Sequence, residues 1–214
     1  MSLKVKLCGI RDKASLIAAY DSDYIGFVFY QKSPRFITAL EAKKLRKFIN
    51  PNQKLVGLFV NADVNLISYI NDLLHLDVIQ LHGEEDRVYI KKIKEFKKPI
   101  IKAIPVSSYS DIKKSKKYES LCDMILFDTK INSNLSGGTG ISFDWNLLRR
   151  YDSSINWILA GGLNISNVSE AINTTNANFI DISSGVEKSR GIKCPNKIKK
   201  FLDYIRKYEK NKLS

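Results

Sequence analysis

Two segments in the last third of the chain have the chemistry of an anion site. They are Leu159-Ala160-Gly161-Gly162-Leu163 and Asp181-Ile182-Ser183-Ser184-Gly185-Val186-Glu187. Each is a short apolar run that ends in glycine or serine just ahead of a helix-like stretch. Such strand ends expose clustered backbone N–H groups, and a helix N-terminus adds the positive end of its dipole. A phosphate can be held there without any lysine. Gly-Gly and Ser-Ser-Gly also serve as plain turns, but their pairing at the last two strand ends favours an anion cradle made by Gly161, Gly162, Ser183, Ser184 and Gly185. The chain contains no G-x-x-x-x-G-K-[ST] or G-x-G-x-x-G sequence, which disfavours a nucleotide-binding loop.

Five further residues carry chemistry-bearing side chains at the ends of apolar runs or in the loops just after them. Cys8, in Leu7-Cys8-Gly9-Ile10, reads either as a small buried hydrophobe or as a thiolate base, for which its pKa must fall or the thiol must be partly ionised. Asp128 ends Met124-Ile125-Leu126-Phe127-Asp128-Thr129. It suits a general acid at a strand end, with an N-cap or a salt bridge to Lys130 as the structural alternative. Arg35, after Ser33-Pro34, offers a planar fork for a carboxylate or phosphate, or is a surface arginine beside a turn. Gln80 and His82 close another apolar run, where His82 either caps the next helix or touches a substrate. His75 reads as a helix-end residue.

These residues must be positioned by repeating units. Strand-like runs recur at Val5–Ile10, Tyr24–Phe29, Lys54–Val60, Val78–His82, Ile100–Val106, Met124–Thr129, Trp157–Leu163 and Phe179–Ser183. Between them, Ala39–Ile49, Val64–Leu74 and Glu84–Phe96 have apolar residues at helical spacing, as does Pro195–Tyr208 at the end. Thr38 and Ser166 read as N-caps and Pro195 as a first-turn proline. Ser107–Leu121 has the sparsest helical pattern. Eight strand–helix units predict a parallel α/β fold, a (β/α)8 TIM barrel forming one catalytic domain over residues 1–214, with an open doubly wound sheet as the alternative. The stretch Ile131–Gly140 reads as a loop after the sixth strand.

The chain has 214 residues, 44% of them hydrophobic, enough for a sizeable core. No apolar run approaches the roughly 20 residues that span a bilayer, and the N-terminus lacks a signal-peptide h-region. Cys8, Cys122 and Cys194 form no C-x-x-C pair and no zinc pattern with His75 or His82. No metal and no disulfide is therefore expected, and a reducing cytoplasm fits. The formal charge of +13 invites a nucleic-acid reading. The lysines are spread over helix-like segments without a recognition motif, so a solvated basic surface that attracts an anionic substrate is the better reading.

As a set, the motifs resemble the phosphoribosylanthranilate isomerase family of tryptophan biosynthesis over essentially the whole chain. The resemblance rests on Lys6-Leu7-Cys8-Gly9-Ile10, Gly26-Phe27-Val28-Phe29 with Ser33-Pro34-Arg35, and Val56-Gly57-Leu58-Phe59-Val60-Asn61. It continues through Gln80-Leu81-His82-Gly83-Glu84-Glu85, Leu126-Phe127-Asp128-Thr129, Gly137-Gly138-Thr139-Gly140 with Phe143-Asp144-Trp145, and the two glycine/serine segments. It implies a (β/α)8 fold and an Amadori rearrangement, free of cofactor and metal, of N-(5-phosphoribosyl)anthranilate to 1-(2-carboxyphenylamino)-1-deoxyribulose 5-phosphate. By the family pattern Asp128 is the general acid, Cys8 the general base, and Arg35 faces the anthranilate carboxylate. Gln80, His82 and Asp181 are assigned to substrate binding, and the Gly137–Gly140 loop to a mobile cover. The chain departs from the pattern at Ile141, Arg190 and Cys194. The partner implied is a small phosphorylated substrate, with no nucleic acid and no membrane, and a monomer and a homodimer fit equally. The competing readings are the related histidine-pathway isomerase, which carries an aspartate where Cys8 stands, and a basic polyanion binder.

Overall fold

A computed structural model describes residues 2–130 and 142–213. The Gly137–Gly140 cover and Ile141 lie outside the described residues. Eight parallel strands close into a barrel in chain order: β1 Lys4–Cys8, β2 Tyr24–Val28, β3 Lys54–Phe59, β4 Val78–Leu81, β5 Ile100–Val106, β6 Met124–Thr129, β7 Asn156–Leu159 and β8 Phe179–Ile182. The (β/α)8 expectation holds, and the open-sheet alternative falls because β1 pairs with both β2 and β8. Helices α1 Lys13–Ala18, α2 Ala39–Arg46, α3 Val64–Leu74, α4 Arg87–Lys94, α5 Tyr109–Ser115 and α6 Val168–Thr175 follow strands one to five and seven. Between β6 and β7 the described residues hold a 3-10 turn, Trp145–Leu148. After β8 the chain makes a 3-10 turn at Ser184–Val186, then a hairpin of β9 Glu187–Ser189 and β10 Ile192–Lys193, then α7 Pro195–Leu213. The hairpin was not foreseen. None of the described helices is long and apolar enough to cross a membrane.

Local chemistry sets the element ends. Thr38 caps α2 in a reciprocal box with Glu41. Asp63 starts α3 by accepting from Asn65 N at 2.7 Å, and His75 ends it in the left-handed conformation at φ 50°. The expected Glu84–Phe96 helix is shorter, because Asp86 takes the cap and accepts from Tyr89 N. Ser166 is not the N-cap of α6. Asn167 holds that place, and Ser166 donates its N–H and hydroxyl to Asn164 Oδ1 in the preceding turn. The seventh strand stops at Leu159 rather than Leu163, since Gly161 and Gly162 adopt φ of 86° and 67°, outside strand geometry.

Alternation along the strands separates two cores. Residues such as Leu7, Ile25, Phe59 and Ile79 pack outward against the helices. Val56, Ile101, Leu126 and Ile158 form a second cluster that fills the barrel. At the N-terminal end, three aspartates clamp strand pairs. Asp23, Asp77 and Asp123 stand directly before β2, β4 and β6. Their carboxylates accept from Val5 N (2.8 Å), Leu55 N (2.7 Å) and Ile100 N (2.8 Å) in the strand one place earlier. Each satisfies an amide at a strand start that the ladder leaves open.

Candidate active site

The strands deliver the expected residues to one end of the barrel. Cys8 is the last residue of β1, Gln80 lies in β4 with His82 just beyond it, and Asp128 is near the end of β6. The Gly161-Gly162 turn follows β7, and Ser183 follows β8. The pleat explains why Lys6 and Cys8 face the same way on β1 while Leu7 packs outward. A Cβ on Gly26, across the ladder on β2, would come to 3.1 Å from Cys8 Sγ and 3.3 Å from Lys6 Cε. Gly26 thus leaves the room in which thiol and ammonium sit side by side.

Lys6 is fully buried and ion-paired to Asp181 at 2.7 Å. The register places the two residues opposite each other on β1 and β8. Asp181 Oδ2 is taken by this pair, while Oδ1 is buried and has no hydrogen-bond partner among the described residues. Burial drives the Asp181 carboxyl above its ordinary pKa, with Lys6 opposing and Asp128 adding to the rise. Burial works against the Lys6 ammonium, but Asp181 and Cys8 together outweigh it and hold its pKa above the usual lysine value. Burial also pushes the Cys8 thiol up, against the pull of Lys6 and Lys193. The lowered thiol that a resident thiolate base requires is therefore not found; desolvation wins.

Asp128 is fixed from two sides. Its Oδ1 accepts from Thr129 N at 2.7 Å, and its Oδ2 lies 3.4 Å from His82 Nε2. No contact to Lys130 holds it. His82 Nδ1 lies 3.0 Å from Gln80 Nε2. The contact holds the ring so that Nε2 faces Asp128. Both His82 and Asp128 keep about a third of their side chains exposed, at 30% and 33%. Gly161 completes this corner: a Cβ there would strike Thr129 N at 2.7 Å and approach Asp128 Oδ1 to 3.2 Å.

The anion cradle is only partly as expected. Among the described residues, the N–H groups of Gly162, Ser184 and Gly185 donate to no protein acceptor, which leaves them for a ligand. Gly185 closes the two loops together, since a Cβ there would sit 2.0 Å from Leu163 O. The Ser183 hydroxyl is spent elsewhere. It donates to Cys8 O at 3.1 Å and accepts from Lys193 Nζ at 3.0 Å, tying the ends of β8 and β1.

Arg35 is buried, and its Nε and Nη2 bind Glu187 at 2.7 and 3.0 Å. Glu187 also takes Lys193 Nζ at 2.9 Å and Gly191 N at 3.0 Å. Burial alone would raise the Glu187 carboxyl, yet Arg35 and Lys193 hold it below its ordinary value. Burial lowers the Lys193 ammonium against the pull of Glu187. Sequence reasoning missed Lys6, Glu187 and Lys193. The available signal was a lysine inside an apolar strand, which must find a carboxylate to be buried. Lys102 in β5 is a second case, paired with Glu85 at 2.9 Å and bonded to Gly83 O, which steadies the loop after His82. Arg190 sits at the hairpin tip, and Cys194 N donates to Val186 O ahead of α7. Some of the lysines, among them Lys44, Lys94, Lys114 and Lys212, lie in the last turns of α2, α4, α5 and α7, where they complement the helix dipoles.

A family model described as N-(5'phosphoribosyl)anthranilate (PRA) isomerase matches residues 5–204. The chain belongs to this family. The chain is 39% identical over 210 residues to N-(5'-phosphoribosyl)anthranilate isomerase from Zymomonas mobilis, covering 96% of this chain and 99% of the relative. It is 37% identical to the Agrobacterium fabrum enzyme of that name, covering 98% of each chain. Among solved structures, phosphoribosyl anthranilate isomerase from Thermotoga maritima superposes with a TM-score of 0.87 at 35% identity, covering 96% of this chain and 99% of that one. A phosphoribosyl anthranilate isomerase solved in complex with reduced 1-(o-carboxyphenylamino)-1-deoxyribulose 5-phosphate gives 0.82 at 33% identity, covering 96% and 99%. The isomerase is thus an aldose–ketose isomerase of tryptophan biosynthesis. The histidine-pathway and polyanion-binder readings give way to it.

Proposed function

We propose that the barrel mouth converts N-(5'-phosphoribosyl)anthranilate to 1-(2-carboxyphenylamino)-1-deoxyribulose 5-phosphate with Asp128 as acid and Cys8 as base. The Asp128 carboxyl gives its proton to the ribose ring oxygen. The C1–O bond breaks toward that oxygen while the nitrogen lone pair forms C1=N, which yields a protonated Schiff base. The Cys8 thiolate then takes the proton from C2. The C2–H electrons form C1=C2 and the C=N pair returns to nitrogen, giving an enolamine that tautomerises to the ketone.

The observation that carries this reading is that Cys8 ends β1 and Asp128 stands near the end of β6, at the same end of the closed barrel. Asp181, opposite Lys6 in the β1–β8 register, lies on the strand beside Cys8. Acid and base therefore share one barrel mouth although 120 residues, on the numbering from Cys8 to Asp128, separate them. His82, oriented by Gln80, turns its Nε2 toward Asp128. Asp181 Oδ1, buried and without a partner among the described residues, is the acceptor we assign to a sugar hydroxyl. The N–H groups of Gly162, Ser184 and Gly185 take the phosphate, with Gly161 shaping the turn and Ser183 bracing Cys8. Arg35, fixed by Glu187, faces the anthranilate carboxylate. The partner is a small phosphorylated molecule. Every residue named comes from one chain, so a monomer and a homodimer serve equally. The three free cysteines suit a reducing cytoplasm.

The test follows loss of phosphoribosylanthranilate fluorescence on adding enzyme. Cys8→Ser and Asp128→Asn are each expected to lower turnover by about 10²–10⁴-fold with the circular-dichroism melt retained. Near-wild-type turnover in either variant refutes that residue's role.

A further inference from the structure

We propose that Lys6 is a positioning residue for the isomerisation: its ammonium, clamped by Asp181, stabilises Cys8 as the thiolate that takes the C2 proton. The inference rests on Cys8 being the base.

A lysine with no solvent exposure inside a barrel is costly, and the fold does not require one. Other positions in the barrel interior, Val56 and Ile101 among them, are filled without charge. Lys6 is instead locked at 2.7 Å to the carboxylate opposite it in the β1–β8 register. One residue further along the same face stands the thiol, and Gly26 leaves both side chains the space to meet. Buried as it is, the thiol resists ionisation, so a base at this position needs a fixed cation.

The charged groups around Cys8 come from three elements. Lys6 lies on β1, Asp181 on β8 and Lys193 on β10. Asp128 and His82 act on Asp181 from the far side. Lys193 is already bonded to Glu187 and to both oxygens of Ser183. Lys6 spends one bond on Asp181 and is the cation left to face the sulfur. Burial keeps the thiol mostly protonated, and the reactive fraction of the enzyme is the one whose thiol proton has left to solvent. The sulfur lone pair then accepts the C2 proton of the Schiff base, and the thiol ionises again after product release.

The test is the pH dependence of iodoacetamide alkylation, with the modified Cys8 peptide counted by mass spectrometry so that Cys122 and Cys194 do not interfere. Lys6 Cε and Cys8 Sγ lie 3.3 and 3.1 Å from one point beside Gly26, so about 6 Å is the upper bound on their separation; a unit charge there, at an effective dielectric near 20, moves a neighbour's midpoint by about two pH units. Lys6→Met is therefore expected to move the Cys8 midpoint up by about that much, a roughly hundredfold loss of thiolate at fixed pH. The alkaline limb of kcat/KM should move with it, and Lys6→Arg should restore most of the effect. Asp181→Asn removes the opposing charge and should move the midpoint down. A merely structural role would not give opposite signs. An unmoved midpoint in Lys6→Met, with Cys8→Ser still inactive, overturns the role of Lys6 and leaves the base reading standing. Full activity in Cys8→Ser overturns the base reading instead. If Lys6→Met gives no cooperative melt, Asp181→Asn decides, and an upward or absent movement there overturns the proposal.

Discussion

Gly161→Ala tests how the turn after β7 holds the acid in place. At φ 86° the new side chain sits in the left-handed region, which costs about 1–2 kcal/mol for a residue with a Cβ. That Cβ would lie 2.7 Å from Thr129 N and 2.4 Å from Thr129 Oγ1. Restoring ordinary contact with the backbone nitrogen requires a movement of about 0.7 Å, and forcing extra atoms into packed space costs about 1–3 kcal/mol more. The sum, about 2–5 kcal/mol, should appear as a lower urea midpoint at unchanged slope. The displaced atoms belong to the peptide whose N–H binds Asp128 Oδ1 at 2.7 Å, so the carboxyl moves with it. Misplacing a catalytic group by about 1 Å costs up to about 10²-fold. The expected loss in kcat is therefore about 10–100-fold, measured by the fluorescence assay at saturating substrate. The effect belongs in kcat because Asp128 acts on the bond-breaking step. Wild-type kcat together with a wild-type urea midpoint would show that Gly161 does not support Asp128 and that the steric reasoning is wrong.

Two other perturbations probe the frame of the site. Glu187→Gln removes the charge shared by Arg35 and Lys193 and should destabilise by about 3–5 kcal/mol. The folded-state pKa of Glu187 is lowered, so its contribution is present above the unfolded value near 4.3 and is lost as pH falls through the folded value. The wild-type advantage in unfolding free energy should accordingly shrink in acid, and a difference that is constant down to pH 3 contradicts the ion-pair account. Asp77→Ala removes the acceptor of Leu55 N at the end of the barrel opposite the mouth. It should cost about 1–3 kcal/mol in urea unfolding with kcat unchanged, and a fall in kcat would count against the separation of the two ends.

Much of the architecture was readable without coordinates because periodicity and punctuation are local. The apolar runs at Ile100–Val106 and Met124–Thr129 match β5 and β6 residue for residue. Val64–Leu74 matches α3. Each is bounded by its own capping or turn chemistry. The strand-end placement of Cys8 and Asp128 followed from the same pattern, since a barrel puts all such ends at one mouth. Ser166 failed as a cap because two neighbouring asparagines compete for the same turn, and local propensity does not rank them.

The sequence by itself determined the eight-unit order, the family, and which side chains stand at strand ends. Only the tertiary structure decided their electrostatic state. Lys6 meets Asp181 across 175 residues and Arg35 meets Glu187 across 152, by barrel register and hairpin placement. No local rule carries such pairings. Cys8 read either as a small buried hydrophobe or as a base whose thiol must ionise, and closure of the barrel desolvates it. Its charge is then governed by groups on β1, β8 and β10 that come together only when the first and last strands pair.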